Sequence, residues 1–371
     1  MVEQILREWP PGYGGVERVA HELASVWGGA VYSLDVQHQG LTGQDPLPVA
    51  YCRRRLPSAK SFGRLQVPIP SRSLWRLLRS SAPLHGHLPS PGVLLVLVVA
   101  RLLRPRRKVT AHWHCFLEPG RDLNGRLFAL YQWLALRVLP WLSAVVTTSP
   151  ILSEELQRCG CATERVFMLP CCLSAEQERA ALGLHRRQRM IGEPLQVLFI
   201  GRLDSYKRLD WLLEALSSVQ ASWHLVVVGQ GPRRSMFEAL AVELLGEQAV
   251  DCVSFLGRLS EAEKLAQLKA ADLLVLPSDR SNEAFGIVQL EAMASGIPAL
   301  AFRRDRSGMG WVGQLSGFNW PQTPKALPGV LQRLADDRGL CWRLGQLARA
   351  RYSSVFARTV WLQKLKSWQQ G

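Results

Sequence analysis

At 371 residues, 47% of them hydrophobic, the chain can bury two cores, and its 13 Trp and 20% charged residues argue against a disordered protein. Lys and Arg outnumber Asp and Glu by 45 to 30, a net charge of +15, yet no nucleic-acid-binding motif accompanies that excess. The eight Cys lack paired CxxC spacing and follow no signal peptide, which points to a reducing cytoplasm.

In chain order, residues 4–9 read as a first strand and the glycines Gly12, Gly14 and Gly15 as the turn after it. A helix follows with Val16, Val19, Ala20 and Leu23 on one side. Gly14 and Gly15 can bring backbone amides close to a phosphate or an acceptor. The pattern is neither GxGxxG nor GxxxxGK[ST], so an ordinary tight turn remains the alternative.

Basic clusters at 53–55, 72–79 and 101–108 are interleaved with Leu65, Val67, Leu74, Trp75, Leu77 and Leu78. Residues 1–190 hold 24 Lys and Arg against 13 Asp and Glu, a net of +11; residues 191–371 hold 21 against 17, a net of +4. A face of this kind suits an anionic lipid surface, and a merely basic solvated surface is the other reading. The apolar run 92–103 is interrupted by Arg101 and falls short of the roughly 20 residues of a membrane span, so it is expected to form a buried helix.

His85 and His87, and again His112 and His114, stand two residues apart at expected strand ends. Alternate residues of a strand point the same way, so each pair could ligate a transition metal. No third ligand type clusters with them, and structural hydrogen bonding is preferred for His85, His87 and His112. The group from Cys159 to Cys172 is likewise not expected to bind metal.

In the second half, residues 195–201 form a buried-strand run, followed by Arg202, Lys207 and a helical pattern. A guanidinium fork and a compact ammonium on one loop suit a diphosphate whose charge grows as it leaves a sugar. The apolar run 272–277 leads through a loop to a helix that ends at Gly296. Such loops lie at the carboxyl ends of strands, where ligands bind, and the amides around Gly286 and Ile287 would face an anion. Glu283 and Glu291 lie eight residues apart, about 12 Å along a helix, so both could face one elongated ligand. Glu283 would meet sugar hydroxyls and Glu291 the ribose.

Five segments together carry a resemblance: residues 14–24 (GGVERVAHELA), 201–216 (GRLDSYKRLDWLLEAL), 225–232 (LVVVGQGP), 253–260 (VSFLGRLS) and 283–298 (EAFGIVQLEAMASGIP). Their order and spacing resemble the family 4 retaining glycosyltransferases, most of all bacterial polysaccharide mannosyltransferases. The resemblance implies an α/β GT-B architecture: two Rossmann-like domains facing across a cleft, with the nucleotide-sugar donor held mainly by the second. By motif position it implies that Arg202 and Lys207 bind the donor diphosphate, Glu291 the ribose and Glu283 the transferred sugar. Gly14, Gly15, Phe285, Gly286 and Ile287 complete the donor site, and His114 matches the family's active-site histidine. The catalytic set is then Glu283, His114, Lys207 and Arg202, with no metal or cofactor beyond the donor.

Residues 307–321 (SGMGWVGQLSGFNWP) resemble a loop of the same polysaccharide enzymes and tilt the donor toward GDP-mannose; otherwise they read as a turn-rich connection with Trp311 in the core. Domains are expected at 1–172 and 194–350, with a linker at 173–193 and a helical tail, 352–371, crossing back onto the first domain. The acceptor is expected to be a lipid-linked glycan at the inner face of the plasma membrane, with no nucleic acid as partner. A GT-B relative such as a sugar epimerase, or a basic nucleic-acid-binding protein, is the alternative.

Overall fold

The computed structural model describes residues 1–8, 14–34, 49–60, 66–118, 120, 122–186, 188–190 and 192–370. It divides into two compact units, Met1–Cys171 and Cys172–Gly371. In chain order the first contains β1 (Glu3–Leu6), α1 (Gly15–Trp27), β2 (Ala30–Leu34), β3 (Cys52–Leu56), β4 (Ser58–Lys60), β5 (Gln66–Pro68) and α2 (Arg72–Arg79). Then come β6 (Leu84–Leu88), α3 (Pro91–Leu103), β7 (Val109–Trp113), α4 (Leu123–Val138), β8 (Ala144–Thr147), α5 (Pro150–Arg158) and β9 (Val166–Met168).

Its main sheet has the order β3-β2-β1-β6-β7-β8-β9, and every pairing in it is parallel. Parallel strands covered on both faces read as unbroken apolar runs, and β6 and β7 are buried at every position. Leu6, Ala20, Ala24, Val31 and Tyr51 form one core cluster beneath α1. On the side where α3 lies, α2 packs on α3 and α3 on α4. The strand order reverses between β1 and β6, which makes the carboxyl ends of those two strands the crevice of this unit.

The second unit continues with α6 (Ala175–Leu182), β10 (Leu195–Ile200), α7 (Leu209–Ser217), β11 (Trp223–Val228), α8 (Arg234–Leu245), α9 (Ala249–Cys252), β12 (Val253–Gly257) and α10 (Glu261–Ala270). It ends with β13 (Leu273–Leu276), α11 (Val288–Ala294), β14 (Ala299–Ala301), α12 (Met309–Val312), α13 (Leu327–Asp336), α14 (Arg338–Arg351) and α15 (Arg358–Gln370). The sheet runs β12-β11-β10-β13-β14, all parallel, so the order reverses between β10 and β13. Two doubly wound α/β units with parallel sheets are therefore observed, as the sequence leads one to expect.

Several boundaries differ from the sequence reading. The first strand stops at Leu6. Trp9, Gly12 and Leu65 lie outside the described residues. Residues 173–193, read as a linker, contain α6, which opens on a reciprocal capping box between Ser174 and Gln177 and belongs to the second unit. The last helix is also grouped with the second unit: the amide of Arg358 donates to Glu178 (2.7 Å) and its guanidinium to the carbonyl of Leu173 (3.2 Å). No helix among the described residues is long and apolar enough to cross a membrane. None of the eight cysteines forms a disulfide among the described residues.

One ionic cluster anchors the second sheet. Asp272, buried just before β13, accepts from Arg338 (2.6 Å) and from the amide of Gln196 (2.9 Å), and it pairs with Arg189 (3.1 Å) and Arg186 (3.6 Å). Removing the one anion leaves buried guanidinium charge uncompensated. Asp272→Ala should therefore cost about 3–5 kcal/mol, measured by urea unfolding, and an unchanged midpoint would show that solvent neutralises the arginines instead.

Candidate functional site

Lys207 and Glu283 meet at the point where the second sheet reverses. Lys207 ends a 3₁₀ turn, Ser205–Lys207, that follows β10 and is capped by Asp204, whose carboxylate accepts from the amide of Ser205 (2.7 Å). Its stem lies against Gly201, 3.5 Å from the position a Cβ would take there, and its ammonium sits 5.3 Å from the ring centroid of Tyr206. The ammonium donates to Glu283 in the loop after β13. Burial opposes the charge on Lys207, but the Glu283 carboxylate outweighs it and raises the ammonium above its ordinary value. Lys207 is thus a buried, permanent cation at neutral pH.

The two strand-end loops are tied together around this pair. The amide of Asp279 donates to the carbonyl of Tyr206 (3.0 Å), and Arg208 bridges Asp210 (2.6 Å) and Asp279 (3.1 Å) while stacking on Trp211. Arg208 holds a left-handed backbone, φ 46°, at the turn into α7. Arg202 lies at the mouth of the same loop with its side chain 66% exposed, 3.7 Å from Asp204, so it is available to an incoming anion.

Glu283 is held from behind by the segment that the sequence offers as a donor-type loop or a turn-rich connection. The hydroxyl of Ser307 donates to the carbonyl of Glu283 (2.6 Å), and the amide of Gly308 donates to the carbonyl of Ala284 (2.8 Å). The buried amide of Gln289 donates to the carbonyls of Phe285 (2.8 Å) and Met309 (3.0 Å). Trp311 is only half-buried, edge-on to Phe356 at 5.4 Å. The serine and glycine of SGMG were the legible signal of this clamp; their partners were not.

Glu283 lies five residues ahead of α11, so the helical spacing to Glu291 does not apply to the pair. Glu291 is buried within α11 and pairs with Lys264 of α10 (3.1 Å), which also reaches Glu261 (2.9 Å). The sequence reading missed Lys264. Phe285 turns its ring inward, edge-on to Phe356 at 5.9 Å, so what it can present to a donor is backbone. Gly286, φ +71°, makes the turn into Ile287 at the helix start, and a Cβ there would overlap Leu276. Gly286→Ala should cost about 1–3 kcal/mol from the left-handed backbone alone, read as a lowered unfolding midpoint; wild-type stability would mean that the loop accepts another conformation.

In the first unit, Gly14 and Gly15 are exposed at the start of α1, with Gly14 as its N-cap. His85, His87, His112 and His114 are all buried at the ends of β6 and β7. The ring of His85 meets Trp27 of α1 edge-on at 5.2 Å and bonds Thr110 through Nδ1 (2.8 Å). His87 Nε2–H donates to the side-chain oxygen of Gln4 (2.9 Å), and His114 Nε2–H donates to His87 Nδ1 (2.9 Å). The Gln4 acceptor therefore sets the tautomer of His87, and His87 sets that of His114, leaving its Nδ1 lone pair bare. Burial pushes all four imidazoles below their ordinary value, His112 to about 3. They are neutral at pH 7.

The nitrogens of His85, His87 and His112 lie within 4.8 Å of one another, a grouping a metal ion could use. His87 and His112 are stacked 13° from parallel, and His112 and His114 7°. Both nitrogens of His87 are already engaged, by Gln4 and by His114, so an ion held there would have to displace one of those hydrogen bonds.

Residues 13–177 match the family described as Glycosyltransferase Family 4, and residues 184–351 match Glycosyl transferases group 1. The chain belongs to the glycosyltransferases of the GT-B type. It is 28% identical over 355 residues to the D-rhamnosyltransferase WbpZ of Pseudomonas aeruginosa, covering 92% of this chain and 88% of that protein. A phosphatidyl-myo-inositol mannosyltransferase of Mycobacterium leprae is 37% identical over 112 residues, 28% of this chain and 27% of that protein. Among solved structures, Anabaena Alr3699/HepE in complex with UDP superposes with a TM-score of 0.73 at 16% identity, covering all of both chains.

Proposed function

We propose that the chain is a retaining hexosyltransferase that moves a sugar, with mannose favoured, from a nucleotide diphosphate donor to an acceptor hydroxyl. The observation that carries this reading is the buried Lys207 beside Glu283 at the carboxyl ends of β10 and β13. The acceptor oxygen bonds to the anomeric carbon from the face the diphosphate leaves. The bond from that carbon to the diphosphate oxygen breaks, and the acceptor proton passes to the departing diphosphate. Lys207 and Arg202, with the amides near Gly286, stabilise charge where it develops. Glu283 accepts hydrogen bonds from the transferred sugar and Glu291 from the ribose, while Gly14 and Gly15 lie beside the donor phosphate and His114 contacts the sugar.

No metal is required in this reading. Side-chain cations supply the positive charge, and the hydrogen bonds that occupy both nitrogens of His87 support it. A GDP-sugar is the favoured donor, although the Anabaena structure holds UDP. The acceptor is a lipid-linked glycan in polysaccharide synthesis, met at an anionic membrane surface on the cytoplasmic side; the lipid named by the mannosyltransferase relative supports this. A thermal-shift panel of GDP-, UDP- and ADP-sugars, followed by NMR of the product anomer, tests the reading. A shift with one nucleotide class and a retained anomeric configuration are expected. No shift with any of them, and no release of nucleoside diphosphate, would remove it.

A further inference from the structure

Helix α3 is apolar on the side that faces solvent as well as on the side packed on β6 and β7, and α4, which packs on α3, is apolar on its exposed side. On α4, Leu123, Leu127, Leu130, Trp133 and Leu134 are 47–73% exposed. At 100° per residue these five and Arg126 and Arg137 fill one arc of about 120°, opposite the buried Gly125, Gln132 and Ala135. Trp141, in the turn that follows, is 42% exposed. Beside it α3 exposes Leu95, Leu102 and Leu103, and next in the layer α2 exposes Arg72, Trp75, Arg76 and Arg79.

The charges within α2, α3 and α4 are of one sign, and Asp122, at the N-cap of α4, accepts from the amide of Gly125 (3.1 Å). Neither α3 nor α4 contains an Asp or Glu. From residue 46 to residue 117 the chain carries thirteen Lys and Arg and no acid. The guanidinium of Arg137 lies 5.2 Å from the ring centroid of Trp133, so a cation and an indole are presented together. An apolar stripe edged by arginine and tryptophan matches the boundary between phosphate headgroups and acyl chains. A second copy docked on the same face would set these arginines against one another, and the capping Asp122 of each copy is too little to offset them.

We propose that the outer face of α3 and α4 inserts into the headgroup boundary of an anionic bilayer, with its leucines and Trp133 among the acyl chains. Arg126, Arg137 and the arginines of α2 then rest on lipid phosphate. The proposal builds on the reading that the acceptor is lipid-linked and assigns the surface that reaches it. Attraction of this kind has a salt-dependent part from the arginines and a salt-resistant part from the buried apolar stripe.

The test is cosedimentation of the full chain with vesicles of phosphatidylcholine alone and of phosphatidylcholine with phosphatidylglycerol. The wild type should bind the anionic vesicles and keep part of that binding in high salt. The triple variant Leu127→Ser, Leu130→Ser, Leu134→Ser should lose about tenfold or more in vesicle affinity while keeping its rate of donor turnover with a water-soluble acceptor. Unchanged vesicle binding by the triple variant would overturn the assignment of the face and leave the lipid reading standing. No vesicle binding by the wild type would overturn both, and a dimer in sedimentation velocity that the triple variant abolishes would assign the face to a second copy instead.

Discussion

Lys207→Ala should lower turnover by about two to three orders of magnitude, the usual loss when one group stabilising a developing anion is removed. The reason is position: Lys207 is fully charged, only 11% exposed in its side chain, and held at the sheet reversal by Tyr206 and Glu283. Charge accumulates on the leaving diphosphate in the transition state, so kcat should fall further than KM rises. Arg202→Ala should cost less, because that guanidinium is 66% exposed and interacts through water. Initial rates of sugar transfer, with circular dichroism to verify folding, measure both. Near-native turnover in the Lys207 variant would remove the diphosphate from this site.

The first unit should unfold on mild acidification, well before its carboxylates titrate. His85, His87, His112 and His114 stay neutral in the folded chain because burial depresses each one, whereas in the unfolded chain each takes up a proton near pH 6.5. The unfolded state binds more protons in that window, so stability is full above about pH 6.5 and falls as pH drops toward the folded values. Each imidazole that stays neutral in the folded chain then withdraws up to about 1.4 kcal/mol per pH unit, and several acting together take a large share of a domain's stability. Tryptophan fluorescence against pH reads the transition. His112→Phe keeps the stacking, and among the described residues neither ring nitrogen of His112 makes a hydrogen bond, so the acid midpoint should move down. A midpoint that does not move would place the acid sensitivity elsewhere.

The placement of Lys207 and Glu283 was legible because its grammar is local. An apolar run, a loop and an amphipathic run place Lys207 and Glu283 at strand ends whatever the rest of the chain does, and β10 and β13 turned out to be adjacent. What local pattern cannot carry is partnership across distance. Lys264 lies 27 residues before Glu291, and Ser307 lies 24 after Glu283. Nothing in either segment names its partner, so these contacts emerged only from the fold. The run 92–103 failed for another reason. Its composition argues for a buried helix, yet Leu95, Leu102 and Leu103 are exposed on α3, because burial depends on whether a further layer is stacked on that side. Composition reports solubility in oil, not which neighbour supplies it.

The ion pair between Lys207 and Glu283 means that the ammonium already holds a counter-ion of its own. A bare ammonium at a sheet reversal would capture any small phosphate in the cell; here such a guest has to displace a resident carboxylate first. Orthophosphate should therefore inhibit feebly, and Glu283→Gln should make that inhibition stronger even as it slows transfer. Equal orthophosphate inhibition constants in the two proteins would show that the carboxylate does not act as a plug.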